Sequence, residues 1–157
     1  MLALAGGLLA AGACRTGSRE PARTATVKLP VTSVARVQYS AVEERERRVI
    51  RDGGTWTRYW SLLTRDLEPP GPPPTVDFDR EMVILAGMGR RATGGYTIAI
   101  DSAYVSDEGL VVWVTETSPG AGCVTTQAFT APAAAARVPR LDGRVRFTET
   151  ARTRDCQ

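Results

Sequence analysis

Two hydrophobic periods divide this chain. Trp56, Tyr59, Trp60, Leu63 and Leu67 recur at helical spacing, with Thr57, Arg58 and Arg65 opposite them. That pattern predicts one packed α-helix over about residues 55–67. The turn Asp52-Gly53-Gly54-Thr55 offers two N-caps, Asp52 and Thr55. The run Pro69-Pro70-Gly71-Pro72-Pro73-Pro74 ends the helix, because proline lacks the backbone donor and clashes with the preceding turn. Beyond it the period becomes that of strands. Residues 82–86 are a continuous apolar run suited to a central strand. Tyr96, Ile98 and Ile100 alternate after Gly94-Gly95 and lead to Val105. A turn at Ser106-Asp107-Glu108-Gly109 then returns the chain through residues 110–114. Residues 124–130, 136–138 and 145–147 predict three further strands, with a turn at Asp142-Gly143 between the last two. Ahead of the helix, residues 31–42 and 47–51 read as two more. Seven or so short strands, with a turn signal about every ten residues, predict a mostly β fold. The expected architecture is an antiparallel β-sandwich or open barrel with one packed helix.

The first residues follow neither period. Residues 2–11 are Leu, Ala and Gly only, too short a run to span a bilayer but the length of a signal-peptide core. Ala11-Gly12-Ala13 is a small-residue cleavage pattern, and Cys14 follows it directly. Together these resemble a bacterial lipobox, in which the cysteine is lipidated and becomes the first mature residue. The expected organisation is a signal peptide at 1–13, a flexible tether at 14–30 and a β-rich domain at 31–157. The expected location is the bacterial cell envelope, with a lipid at Cys14 as the membrane anchor. Simple secretion with an unmodified Cys14 is the alternative. If Cys14 is lipidated, Cys123 and Cys156 remain as a pair that an oxidising compartment would join. Two unrelated buried thiols are the other reading.

Charge and composition narrow the chemistry. The 157 residues carry 20 Lys plus Arg against 17 Asp plus Glu, a formal net charge of +3. The densest basic run, at 45–51, is interleaved with Glu43, Glu44 and Glu46, which marks a solvated face. Nucleic-acid binding would call for a one-signed patch with stacking aromatics, and none is visible. There is no histidine. That excludes Ser-His-Asp and Cys-His nucleophilic catalysis and the His-based zinc and iron sites. No metal, cofactor or small-molecule ligand is inferred, and no catalytic residue is assigned. Asp77, Asp79 and Glu81 could in principle act as acid–base carboxylates, but such residues at a strand entry more often belong to a turn. Gly87, Gly89 and Gly94 do not have phosphate-loop spacing, and no helix N-terminus follows them.

One motif group carries a resemblance. Val76-Asp77-Phe78, the strand at 82–87 and Thr93-Gly94-Gly95-Tyr96-Thr97-Ile98, with Trp56 and Trp60 before them and Thr130-Ala131-Pro132 after, resemble the PrcB C-terminal domain family over roughly residues 34–150. Two positions depart from the family pattern: Ala92 stands in place of a proline, and Ala133 in place of an aromatic. The resemblance implies a non-enzymatic accessory subunit that binds and stabilises a partner protein, with a secreted or surface protease as the candidate partner. Thr93, Gly94, Gly95 and Tyr96, with Ser118 and Pro119 of the next loop, are the candidate partner-binding residues. The Thr-Gly-Gly-Tyr turn is also similar to a loop of chagasin-like protease inhibitors, which makes a protease inhibitor on a sandwich fold the alternative function.

Overall fold

A computed structural model describes residues 26–67 and 71–156. The expected signal peptide, Cys14 and most of the expected tether lie outside the described residues. Eight strands and one helix follow in the order β1 (Val27–Leu29), β2 (Thr32–Val37), β3 (Arg45–Ile50), α1 (Gly53–Leu63), β4 (Glu81–Met88), β5 (Thr97–Ser106), β6 (Gly109–Pro119), β7 (Ala133–Pro139) and β8 (Val145–Arg154). They build two four-stranded sheets, one ordered β1-β5-β6-β8 and the other β2-β7-β4-β3. The sheets face each other as a sandwich, and α1 covers the outer face of the second sheet.

This layering explains the apolar run at 82–86. Met82, Ile84 and Ala86 point between the sheets, against Ile98, Ile100, Leu110, Val112 and Val114. Val83 and Leu85 point the other way, against Trp56, Tyr59 and Leu63 of the helix. A strand buried on both faces has no polar side to display, so its sequence does not alternate. β7 is buried on both faces in the same way along Ala133, Ala134, Ala135 and Ala136. Ala133, where the family pattern has an aromatic, belongs to the core under the helix and is fully buried.

The structure selects Asp52 of the two predicted caps: its carboxylate accepts from the Thr55 N–H at 2.8 Å. The helix therefore starts at Gly53 and ends at Leu63, four residues short of the predicted end. Thr64 leaves the helical conformation at φ −108° and ψ 14°, and the orphan Leu62 carbonyl at this end accepts instead from the Ala41 N–H at 2.8 Å. Leu67 consequently falls off the apolar stripe and is exposed. The loop after the helix folds back on it. The Trp56 indole N–H donates to the Pro74 carbonyl at 3.0 Å, and that of Trp60 to the Gly71 carbonyl at 2.7 Å.

Three other expectations change. Residues 27–29, assigned to the tether, form β1 and pair antiparallel with β5, because Leu29 packs against the inter-sheet core. Residues 124–130 are not a strand. They form a loop whose Val124 is fully exposed, and their one bridge joins Thr130 to Arg91. A strand needs a neighbour along its length, and both flanks of this segment are drawn elsewhere by Cys123 and Thr130. Finally, β8 pairs with β6 in parallel, ten residues in unbroken register, within an otherwise antiparallel fold. β7 separates the two strands in the chain and lies in the opposite sheet, so β8 arrives running the same way as β6.

Candidate functional site

Three loops and the end of the helix meet at one end of the sandwich. Residues 38–44 follow β2, residues 89–96 follow β4, and residues 120–132 follow β6. Backbone hydrogen bonds tie them together. Ala131 N–H donates to Gln38 at 3.0 Å, Arg90 N–H to Glu43 at 2.8 Å, and Arg91 and Thr130 exchange bonds of 2.7 and 3.0 Å. Ser40, almost fully buried, donates its hydroxyl to the Ala131 carbonyl at 2.7 Å and accepts from the Val42 N–H at 3.2 Å. Irregular backbone needs such partners when it is removed from water.

The ends of these loops enclose a cleft of about 200 Å³ lined by Tyr39, Ser40, Arg65, Arg90, Phe129 and Thr130, among others. Phe129 is 62% exposed and Tyr39 46%. The Arg90 guanidinium lies 3.8 Å from the Phe129 ring centroid. A stacked cation of this kind contributes about 0.5–1 kcal/mol at an exposed site and biases the ring toward one orientation. Exposed aromatic side chains with an arginine among them are the residue types that dominate protein-binding hot spots.

The predicted contact residues brace this end from beneath. Gly95 has φ of +89°, and a Cβ there would lie 3.1 Å from Pro119. A Cβ on Gly94 would lie 2.3 Å from the Thr126 hydroxyl oxygen, and the Gly94 N–H donates to the Thr126 carbonyl at 2.9 Å. Glycine is required here for close approach and positive φ together. The Thr93 carbonyl accepts from the Thr130 hydroxyl at 2.9 Å, and Tyr96 packs against the inter-sheet core. The structure thus brings residues 93–96 and Pro119 together, as a packed support and not as a protruding loop. Ser118 and Pro119 are the last residues of β6, not loop residues, and pair with Thr153 and Arg154. Cys123 and Cys156 are joined in a disulfide, which fastens the loop to the end of β8.

Sequence reasoning missed Tyr39, Arg90 and Phe129. They come from three separate segments, and only the fold shows that they line one cleft.

The cleft lining also carries Glu43 and Asp66, both paired with Arg65, and a second charged cluster lies along the side of the sandwich. Arg45 and Arg47 of β3 reach across to Glu116 of β6 and Glu149 of β8, closing one side of the sandwich. Arg47 also donates to the Gly87 carbonyl at 2.8 Å. Partial burial pushes the Glu149 carboxyl up, but the two guanidinium groups outweigh it and hold the group below the usual carboxylate range. The Tyr59 hydroxyl donates to Glu46, and burial, reinforced by that carboxylate, pushes its pKa above the usual range. Asp77, Asp79 and Glu81 lie at the opposite end of β4 from the cleft. Asp77 holds a turn there, accepting from the Asp79 N–H at 3.1 Å, and Glu81 pairs with Arg137 at 3.4 Å.

Residues 82–139 match the PrcB C-terminal family. No curated protein and no solved structure matches the chain. The matching segment runs from Met82 in β4 to Pro139 at the end of β7. It contains Arg90, residues 93–96, Ser118, Pro119 and Phe129, and so most of the loop end described above.

Proposed function

We propose that this chain is a non-enzymatic envelope accessory protein that binds and steadies a partner protein, a secreted or surface protease, through the loop end of its sandwich. In this reading a lipid at Cys14 anchors it to the membrane. The observation that carries the proposal is the exposed Phe129, held under Arg90 beside Tyr39 and inside the segment that matches the PrcB C-terminal family. An aromatic left in water and already biased toward one orientation by a neighbour loses less side-chain entropy on docking, which favours a role in binding.

The test is capture from the protein's own envelope fraction, comparing the wild-type chain with Phe129→Ala and Arg90→Glu. The wild type should retain a protease and slow its thermal inactivation, and either substitution should weaken capture by roughly thirtyfold or more, a loss of the size expected for a hot-spot residue. Equal capture by all three chains would remove the loop end from the interface. Inhibition of the captured protease, in place of stabilisation, would replace this reading with the inhibitor one. Intact mass from the membrane fraction tests the anchor: a chain starting at Cys14 with an acyl load supports it, and an unmodified chain starting at Met1 refutes it.

A further inference from the structure

At ten residues in unbroken register, β8 is the longest sheet edge of the described fold. Among the described residues it pairs only with β6, so its other edge carries unpaired backbone donors and acceptors. The remaining edges are poorer templates. β1 has three residues, β2 has a register shift between Ser33 and Ala35, and the arginines of β3 are engaged by Glu46, Glu116 and Glu149. β8 is also ordered in advance. Parallel pairing with β6 holds its whole length, the Gly120 N–H donates to the Arg154 carbonyl at 2.9 Å, and the Cys123–Cys156 bridge fastens the chain just beyond it.

Register fixes which side chains flank this edge. Val112 and Val114 of β6 point into the core, so Val111, Trp113, Thr115, Thr117 and Pro119 point outward. Their partners on β8 are Arg146, Thr148, Thr150, Arg152 and Arg154. Arg146 pairs with Glu108 at 2.6 Å. Arg152 and Arg154 are exposed and make no ion pair among the described residues. The only carboxylate of β8, Glu149, is held inward by Arg45 and Arg47. The edge therefore offers free cations on its outer face and no free anion.

We propose that the free edge of β8 accepts an extended acidic segment of another protein as an added strand, in a contact separate from the loop-end cleft. Main-chain hydrogen bonds would supply the pairing, and Arg152 and Arg154 would select for carboxylates. Self-association in a register that pairs nearly all of the β8 residues is disfavoured by the same charges. A two-fold antiparallel pairing centred on Glu149 sets Arg146 against Arg152 and Glu149 against its own copy, and like charges directly opposite destabilise a sheet.

The test uses the purified full chain with its disulfide intact. The probe is a labelled, end-capped decapeptide of alternating threonine and glutamate. Two controls accompany it: one with lysine in place of glutamate, and one N-methylated at alternate amides. Binding is read by fluorescence anisotropy, and location by amide hydrogen exchange along β8. The glutamate peptide should bind and protect β8 amides. Arg152→Glu with Arg154→Glu should weaken it roughly tenfold, and both control peptides should bind weakly. No binding of the glutamate peptide would overturn the proposal. So would equal binding of the N-methylated peptide, which means charge adsorption without strand pairing. Concentration-dependent dimerisation of the free chain with protected β8 amides would also overturn it, making a second copy the occupant. None of these results touches the loop-end reading, since Phe129 and Arg90 lie outside β8.

Discussion

Removing the Cys123–Cys156 bridge should cost this domain a large share of its stability without changing its fold. The two cysteines are 33 residues apart in sequence. On the chain-entropy model, closing a loop of that length in the unfolded ensemble stabilises the native state by about 3.5–4 kcal/mol at 25 °C. Little offsets this on the native side. β6 and β8 are already paired along ten residues, and the Gly120–Arg154 hydrogen bond brings the flanking loop and tail together without the bridge. For a domain of this size the loss corresponds to a fall in Tm of roughly 10–15 °C. The assay is urea unfolding of the oxidised chain, the reduced chain and the Cys123→Ser, Cys156→Ser double variant. The last two should coincide. Both should show a lower midpoint and a steeper denaturant dependence, because an uncrosslinked unfolded chain exposes more surface. A difference below about 1 kcal/mol with an unchanged slope would refute this reasoning, since the bridge would then not be restricting the unfolded state.

Three further outcomes follow from particular contacts. Gly95→Ala should destabilise by about 1–3 kcal/mol, because alanine disfavours the positive φ and its methyl meets Thr125 and Pro119; Gly53→Ala, with open space around it, is the control, and denaturant midpoints compare the two. Asp52→Ala should lower the Tm by removing the helix cap, whereas Asp52→Ser should recover most of the loss. Glu149→Gln should destabilise by about 1 kcal/mol at neutral pH by weakening the cross-sheet ion cluster. Because the folded pKa of Glu149 is depressed, its contribution is present above the ordinary value of 4.5 and is lost as pH falls through the folded value. The gap between wild type and variant should therefore close in acid, as read from urea midpoints across that range; a gap independent of pH would refute the assignment.

The order of elements was written in local patterns. Period 3.6 marked α1, the apolar run marked β4 as central, and Ser106 to Gly109 marked the β5–β6 turn, because each signal lies within a few residues of chain. Gly94 and Gly95 stand in the sequence just before β5, but only the fold shows that a side chain there would meet Thr126 and Pro119. The end of the helix was misjudged because Leu67 continues the apolar spacing, while the Leu62 carbonyl is taken by the Ala41 N–H from a distant loop. Residues 124–130 are rich in the β-favouring residues Val, Thr and Phe, but composition does not supply a neighbouring strand.

What the sequence determined by itself was composition-level chemistry and short-range geometry. A chain without histidine lacks the catalytic devices that depend on it, and turns, caps and buried strands follow from the residues that form them. The tertiary structure alone decided that Tyr39, Arg90 and Phe129 line one cleft, that Arg45, Arg47, Glu116 and Glu149 close one side of the sandwich, and that β8 runs parallel to β6 with a bare edge. Each of those depends on pairing between segments tens of residues apart. Long-range pairing of that kind is set by how whole faces bury against one another, and no short window of sequence encodes it.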